Sequence, residues 1–311
     1  MILTVTLHPA LDKILRLQKL RSNDIARATI EMQYGGGKGN NAARALHALG
    51  APVVATGYQG GNVGQWLIEV FASEGIGTDF VMTAAPTRTS LMLIEEATGD
   101  TFAIYEPGQA VTDGEIAQLR EKFASLLPQA EMALFCGSAQ TPALAALVKE
   151  LINTAQAAGV PCALDGSGLA LKEGVQAKPS LLKVNREELA ELVDHPLHNE
   201  ADQTQAMLEM RKRGIKIVAL TRGKAGLLIT DGQEFIEAVL VMDYVVNVMG
   251  CGDSTLAGMA MAITQKGSLE EVARVATACG AANTQVIGAG FIGASLVHSL
   301  KTSVSIRRLK I

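Results

Sequence analysis

The chain has 311 residues, 48% of them hydrophobic and 19% charged, with a formal net charge of -4. That is enough apolar material for a large core, and the acidic balance without a long basic run argues against nucleic acid as a partner, leaving room for a local basic pocket that takes a phosphorylated small molecule. No apolar run approaches the roughly 18 residues of a membrane span, Met1–Leu7 has no basic leader character, and Cys136, Cys162, Cys251 and Cys279 have neither C-x-x-C nor zinc spacing, so the expectation is a cytoplasmic protein with buried thiols and no membrane partner.

Ile2–Leu7 opens the chain as a buried strand candidate. Lys13–Leu17 and Ala26–Gln33 then alternate polar and apolar residues, as half-exposed antiparallel strands do. A glycine-rich stretch leads into a helical pattern over Ala42–Leu49, and Val53–Thr56 is the next buried strand. Alternation returns in Ser90–Glu95 and Thr101–Glu106, with Thr98-Gly99-Asp100 as the turn between them. Met132–Cys136 is followed by a helix over Thr141–Ala158, where Leu144, Leu147, Val148, Leu151 and Ala155 keep helical spacing, Thr141 suits the N-cap and Pro142 the first turn. Cys162–Asp165, Leu181–Val184 and Ile215–Leu220 complete the strand candidates, and Ser268-Leu269-Glu270-Glu271 reads as a capping box. This alternation predicts one α/β domain over residues 1–311 with a mostly parallel sheet. The alternating segments, about 12–34 and 88–107, predict a small β-sheet projecting from it, either a lid over a site or an ordinary edge hairpin.

Two glycine-built stretches carry candidate chemistry. Val246-Asn247-Val248-Met249-Gly250-Cys251-Gly252-Asp253-Ser254 puts small residues and a carboxylate where an apolar helix begins. Backbone N–H groups there, with the positive end of the helix, make an anion site, and an adjacent Asp can take a proton from an attacking hydroxyl. The same residues also fit a plain helix start with Asp253 as a dipole partner. Gly35-Gly36-Gly37-Lys38-Gly39-Asn40-Asn41 is neither a P-loop nor a dinucleotide fingerprint, and by itself also fits a flexible loop.

Together, in this order and about 210 residues apart, the two stretches resemble the signatures of the PfkB (ribokinase-like) carbohydrate kinases, G-G-K-G-x-N at Gly36–Asn41 and N-x-x-G-A-G-D at Asn247–Asp253. The resemblance extends through Thr6–Asp12 (T-L-N-P-x-x-D), Gly57–Gly64, Thr87-Arg88, Glu106-Pro107-Gly108, Gly137-Ser138, Asp165–Gly168 (D-x-S-G) and Lys183–Glu188 (K-P-N-x-x-E), in the pattern of the branch that acts on phosphorylated sugars. It implies a Rossmann-like α/β core with a β-sheet lid, ATP and Mg²⁺ as cofactors, a sugar-phosphate substrate, and a homodimer formed through the lid.

Roles follow from matched positions. Asp253 would be the catalytic base, with the N–H groups of Gly250, Cys251 and Gly252 holding charge on the transferred phosphoryl group. Asp12, Gly36, Gly37, Asn41 and Ser138 would hold the sugar, and Arg88 its phosphate. Lys183 would approach the ATP phosphates, with Thr221, Arg222, Gly223 and Gly226 lining the nucleotide site and Asn283 near the adenine. Asn185 and Glu188 would position Mg²⁺, mostly through water; Lys38 is assigned no catalytic part. Asp12 also fits a turn stabiliser, and Arg88 a partner of a surface acid.

The chain departs from the branch at His8 for Asn, Ser90 for Asn, Tyr105 and Gln109 around Glu106-Pro107-Gly108, Gln140 in the loop after Ser138, and Cys251 for Ala. Most departures fall where substrate or lid would be. The expected activity is therefore an ATP-dependent kinase of a phosphorylated ketohexose, fructose 1-phosphate first and tagatose 6-phosphate second, with a kinase of a free sugar or polyol and a non-catalytic sugar-phosphate sensor as rivals.

Overall fold

The computed structural model describes residues 1–108 and 110–309, so the departure at Gln109 lies outside the described residues. In chain order, β1 (Ile2–Thr6), β2 (Ala10–Leu17), β3 (Ala28–Gly36), α1 (Lys38–Ala48), β4 (Val53–Gly60), α2 (Gly61–Ser73) and β5 (Gly77–Thr83) lead to β6 (Arg88–Glu95) and β7 (Thr101–Tyr105). Then come α3 (Asp113–Leu126), β8 (Met132–Ser138), α4 (Pro142–Ala157), β9 (Cys162–Ser167), α5 (Gly168–Gln176), β10 (Leu181–Asn185), α6 (Arg186–Val193) and α7 (Glu200–Lys212). The chain ends with β11 (Ile217–Thr221), β12 (Leu227–Thr230), β13 (Phe235–Val239), α8 (Cys251–Thr264), α9 (Leu269–Asn283), α10 (Ala294–Thr302) and β14 (Ser305–Leu309).

The large sheet runs β14-β13-β12-β11-β10-β9-β8-β1-β4-β5. It is parallel from β5 through β11 and antiparallel at β12, β13 and β14. Every residue of β1 is buried, as a strand covered on both faces must be. One face packs Leu119, Phe123, Leu151, Leu171 and Met207 from α3, α4, α5 and α7. The other packs Leu46, Phe71, Leu256, Met259, Val275 and Val297 from α1, α2, α8, α9 and α10. β1 connects onward to β4 on one side and lies against β8 on the other, so the winding direction reverses between β1 and β8. Ligands of such sheets bind beyond the carboxyl ends of the strands at this reversal. His8 follows β1 there, and Ser138 ends β8.

The projecting sheet is present, in the order β3-β2-β6-β7. It is mixed rather than wholly antiparallel, because β2 and β6 pair in parallel. β2 continues from β1 and β6 from β5, and those two core strands run the same way, so both excursions leave the core in one direction. β3 returns antiparallel to β2 with a bulge between Ile14 and Leu15, and β7 returns antiparallel to β6.

The helix starts follow local chemistry. Thr141 Oγ accepts the Leu144 N–H at 3.2 Å with Pro142 in the first turn. Ser268 caps α9 through the Glu271 N–H at 3.2 Å, but the reciprocal half of the expected capping box is missing, because the Glu271 carboxylate takes the Lys301 ammonium from α10. Loss of an N-cap hydroxyl costs about 1 kcal/mol. Thr141→Ala should therefore lower the calorimetric Tm by about 2 °C and leave kcat unchanged; an unshifted Tm would mean that α4 is held by packing alone.

Candidate active site

The carboxyl ends of the core strands and the inner face of the small sheet enclose a cleft of about 430 Å³, within the range of small-ligand sites. The core supplies His8, Gly37, Lys38, Asn41, Gly137, Ser138, Asp165, Lys183, Asn185, Glu188, Thr221, Gly250, Gly252 and Asp253 to its lining; Asp12, Arg88, Ser90 and Tyr105 come from the small sheet.

Asp253 lies in the first turn of α8, buried, with Oδ2 accepting the Asn41 Nδ2–H at 2.8 Å. The two signature stretches, 212 residues apart, thus meet in one hydrogen bond. Burial and the nearby Asp165 raise the Asp253 pKa to about 6, against the pull of Lys38 and the Asn41 amide. Asp253 sits where a carboxylate is costly to charge and therefore basic.

The turn before it is rigidly built. Gly250 takes φ 77°, and a Cβ there would lie 2.3 Å from the Ala289 Cβ, so only glycine fits. Asn247 accepts the Met249 N–H and donates to Ile287 O, at 3.0 and 2.7 Å. Asn283, expected near the adenine, is fully buried behind this turn. Its amide donates to Met249 O and accepts from Ser254 Oγ and the Gly290 N–H, so it braces the turn and does not line the cleft. Cys251 was expected to donate its N–H to an anion; that N–H is directed at Val248 O (3.4 Å), while the N–H groups of Gly252 and Asp253 have no acceptor within the helix.

Beside Asp253 is a pair that sequence reasoning left without a role. Asp165 Oδ1 accepts from Lys38 Nζ at 2.9 Å and its Oδ2 from Lys183 Nζ at 2.6 Å. Burial opposes ionisation of Asp165, but Lys183 and Lys38 outweigh it and hold the carboxyl below its usual range. Lys38 is in turn raised, first by Asp165. Two ammonium groups share one carboxylate in the floor of the cleft, and a Cβ on Gly252 would sit 3.2 Å from Lys183 Nζ. Asp165 was visible in the sequence as the acid of D-x-S-G, and Lys38 as the cation of the first signature.

Asn185 and Glu188 form a reciprocal capping box: Asn185 Oδ1 accepts the Glu188 N–H at 2.8 Å and Glu188 Oε2 the Asn185 N–H at 2.9 Å. The Asn185 oxygen expected at a metal is thus engaged as a helix cap, whereas Glu188 Oε1 stays on the cleft, 3.8 Å from Lys38 Nζ. Among the described residues, no group of three or more His, Cys, Asp or Glu could hold a metal ion. Thr221 lines the cleft, but Arg222 does not. Its guanidinium pairs with Glu237 at 2.5 Å, because the antiparallel extension of the sheet brings β13 alongside. Gly223 opens a short turn, and Gly226 follows it at φ 81° against Ala238 O.

At the other end of the cleft, the Asp12 carboxylate lies against Gly36, where a Cβ would come within 2.0 Å. Burial, opposed by Arg88, raises Asp12 to about 6. Arg88 donates through Nη1 to Glu106 O at 3.2 Å and lies 5.7 Å from the Tyr105 ring centroid, while its buried Nε has no partner.

The pfkB family carbohydrate kinase pattern matches residues 11–294, so the chain belongs to that family and is a phosphotransferase acting on a sugar hydroxyl. It is similar to phosphofructokinase-2 from Escherichia coli in its tetrameric inhibited form, at 28% identity over 97% of this chain and 98% of that one, with a TM-score of 0.90. The same enzyme in complex with fructose-6-phosphate gives 28% identity over the same shares, 97% and 98%, and a TM-score of 0.89. A protein described as a possible 1-phosphofructokinase from Thermotoga maritima shares the fold at 23% identity over all of both chains (100% each), with a TM-score of 0.87.

The Asn41 amide favours the charged form of Asp253, so removing it should raise the carboxyl further. In a titration of ¹³C-labelled aspartates, Asp253 should be half ionised near pH 6, and Asn41→Ala should move the midpoint upward. A wild-type midpoint near an ordinary carboxylate value of about 4 would overturn this account of the site.

Proposed function

We propose that this chain transfers the γ-phosphoryl group of ATP to a hydroxyl of a phosphorylated ketohexose, with fructose 1-phosphate as first choice. The observation that carries the phosphate-bearing substrate is Arg88, whose half-buried guanidinium faces the cleft with Nε unpartnered. A buried donor left unmatched costs free energy that a ligand phosphate would recover. A second reading, a 6-phosphorylated ketohexose such as fructose 6-phosphate or tagatose 6-phosphate, draws on the likeness to phosphofructokinase-2.

In this reading Asp253 takes the proton as the hydroxyl oxygen attacks the γ-phosphorus, the new O–P bond forms, and the bond to the ADP oxygen breaks. The N–H groups of the first turn of α8, with Lys183 and Lys38, face the charge on the transferred group. Asp12 and Asn41 hold sugar hydroxyls. Mg²⁺ would lie with the nucleotide, near Glu188, and neutralise phosphate charge; few protein ligands suit its preference for retained waters. The dimer reading is supported by an apolar row across the small sheet, in which Ile30, Leu15, Leu93 and Phe102 occupy facing positions and Ile30 and Phe102 are exposed.

Asp253→Asn should retain nucleotide binding and lower kcat about 10²–10⁴-fold; a variant with more than half the wild-type kcat would remove Asp253 from the base role. Because a protonated Asp253 cannot accept the hydroxyl proton, wild-type kcat/KM should fall as pH drops through about 6.

A screen of phosphorylated and free sugars read by ADP release tests the substrate. The wild type should prefer a phosphoketohexose, and Arg88→Ala should raise its KM about 10–150-fold with little change for ATP. A wild type that prefers a free sugar to every phosphosugar would refute the reading.

A further inference from the structure

The most chemically unusual departure from the family pattern sits at the reversal point of the sheet. His8 follows β1 where the pattern has Asn, and its two ring nitrogens are engaged by the end of β8 and the connection after it. Nδ1 lies 3.1 Å from Ser138 Oγ and Nε2 lies 2.6 Å from Gln140 Nε2. With the Gln140 amide donating to Nε2, the imidazole proton is on Nδ1 and is donated to Ser138. The Ser138 hydroxyl, which lines the cleft, then directs its own hydrogen elsewhere. Gln140 lies against Gly108, just beyond the small sheet, where a Cβ would come within 1.9 Å of its Nε2. His8 is thus braced from both the core and the lid side, on the part of the cleft that holds Arg88.

We infer that His8 is a specificity-determining residue that reads the phosphate of a sugar-phosphate substrate, orienting the Ser138 hydroxyl toward it and supplying a second positive charge beside Arg88. This inference rests on the phosphosugar reading above. An Asn at this position can orient a neighbour but cannot change charge; an imidazole can do both. Without a ligand, burial and Arg88 keep His8 neutral, lowering its pKa to about 4. Its direct partners Ser138 and Gln140 are uncharged, Arg88 from β6 is the charge that acts on it, and Asp12 from β2, Tyr105 from β7 and Lys38 from α1 line the same cleft. A bound phosphate would bring nearly two negative charges beside Arg88 and His8, favouring the imidazolium. Nε2 then becomes a donor, and the Gln140 amide turns its oxygen to receive it. Binding of the phosphosugar should therefore take up a proton, by the linkage between pKa and ligand.

The test is calorimetric titration of fructose 1-phosphate and fructose 6-phosphate into the full chain at pH 7.5, in buffers of differing ionisation enthalpy. The wild type should take up a measurable fraction of a proton on binding, because an adjacent anion raises an imidazole pKa by about 1–3 units. His8→Asn should abolish that uptake and weaken phosphosugar binding roughly tenfold, with ATP binding unchanged as proof of folding. Gln140→Leu, in the exposed loop, should reduce the uptake and covers the case in which His8→Asn does not fold. If the wild type binds phosphosugar and either folded variant keeps the full uptake, this inference fails while the substrate reading stands. A wild type that binds no phosphosugar overturns both.

Discussion

A buried carboxylate that must stay available to a ligand is the constraint around which the molecule is arranged. Asp253 is nearly sealed from solvent at the start of α8, where desolvation alone would neutralise it. The fold offsets that cost with the positive end of α8, the amide of Asn41 from α1, and the two ammonium groups held by Asp165. Asn41 and Lys38 come from α1, Asp165 from β9 and Lys183 from β10, so these elements and α8 have to meet at one point. The glycines permit this approach and Asn283, bonded three ways behind the Gly250 turn, keeps it from relaxing.

Charge is divided along the cleft. At the floor, Lys38 and Lys183 share the Asp165 carboxylate beside Asp253, with Glu188 3.8 Å from Lys38. At the far end, Arg88 faces Asp12 and His8, and both acquire pKa values set mainly by burial. A ligand carrying an anion at one end and hydroxyls in the middle matches this distribution, and a second anion can lie over the lysines.

The small sheet explains why the departures cluster as they do. Its strands leave the core beside β1 and β5, so residues at the strand roots, such as Asp12, Arg88 and Ser90, face the cleft, whereas Ile30 and Phe102 face outward. His8 for Asn and Gln140 in the loop after β8 are hydrogen-bonded to each other beside Ser138, whereas in the Asn247–Asp253 stretch the departure is Cys251 for Ala.

Much of this was legible in the chain itself. Six buried strands and the α4 helix announce themselves through apolar runs, helical spacing and the Thr141-Pro142 cap, because those signals act within a few residues. The two glycine signatures and Asp253 are readable for the same reason. The antiparallel extension, β12 to β14, was not, since short strands such as Leu227–Thr230 differ little from any apolar stretch until a neighbour pairs with them. The parallel pairing of β2 with β6, the diversion of Arg222 to Glu237 and the burial of Asn283 depend on segments far apart in sequence. So do the Lys38–Asp165–Lys183 cluster and the link from Gln140 through His8 to Ser138. The sequence by itself determined which local elements form and which residue types stand in the two glycine stretches; only tertiary structure decided which of them share a site, because hydrogen bonds, burial and charge act through space and not along the chain.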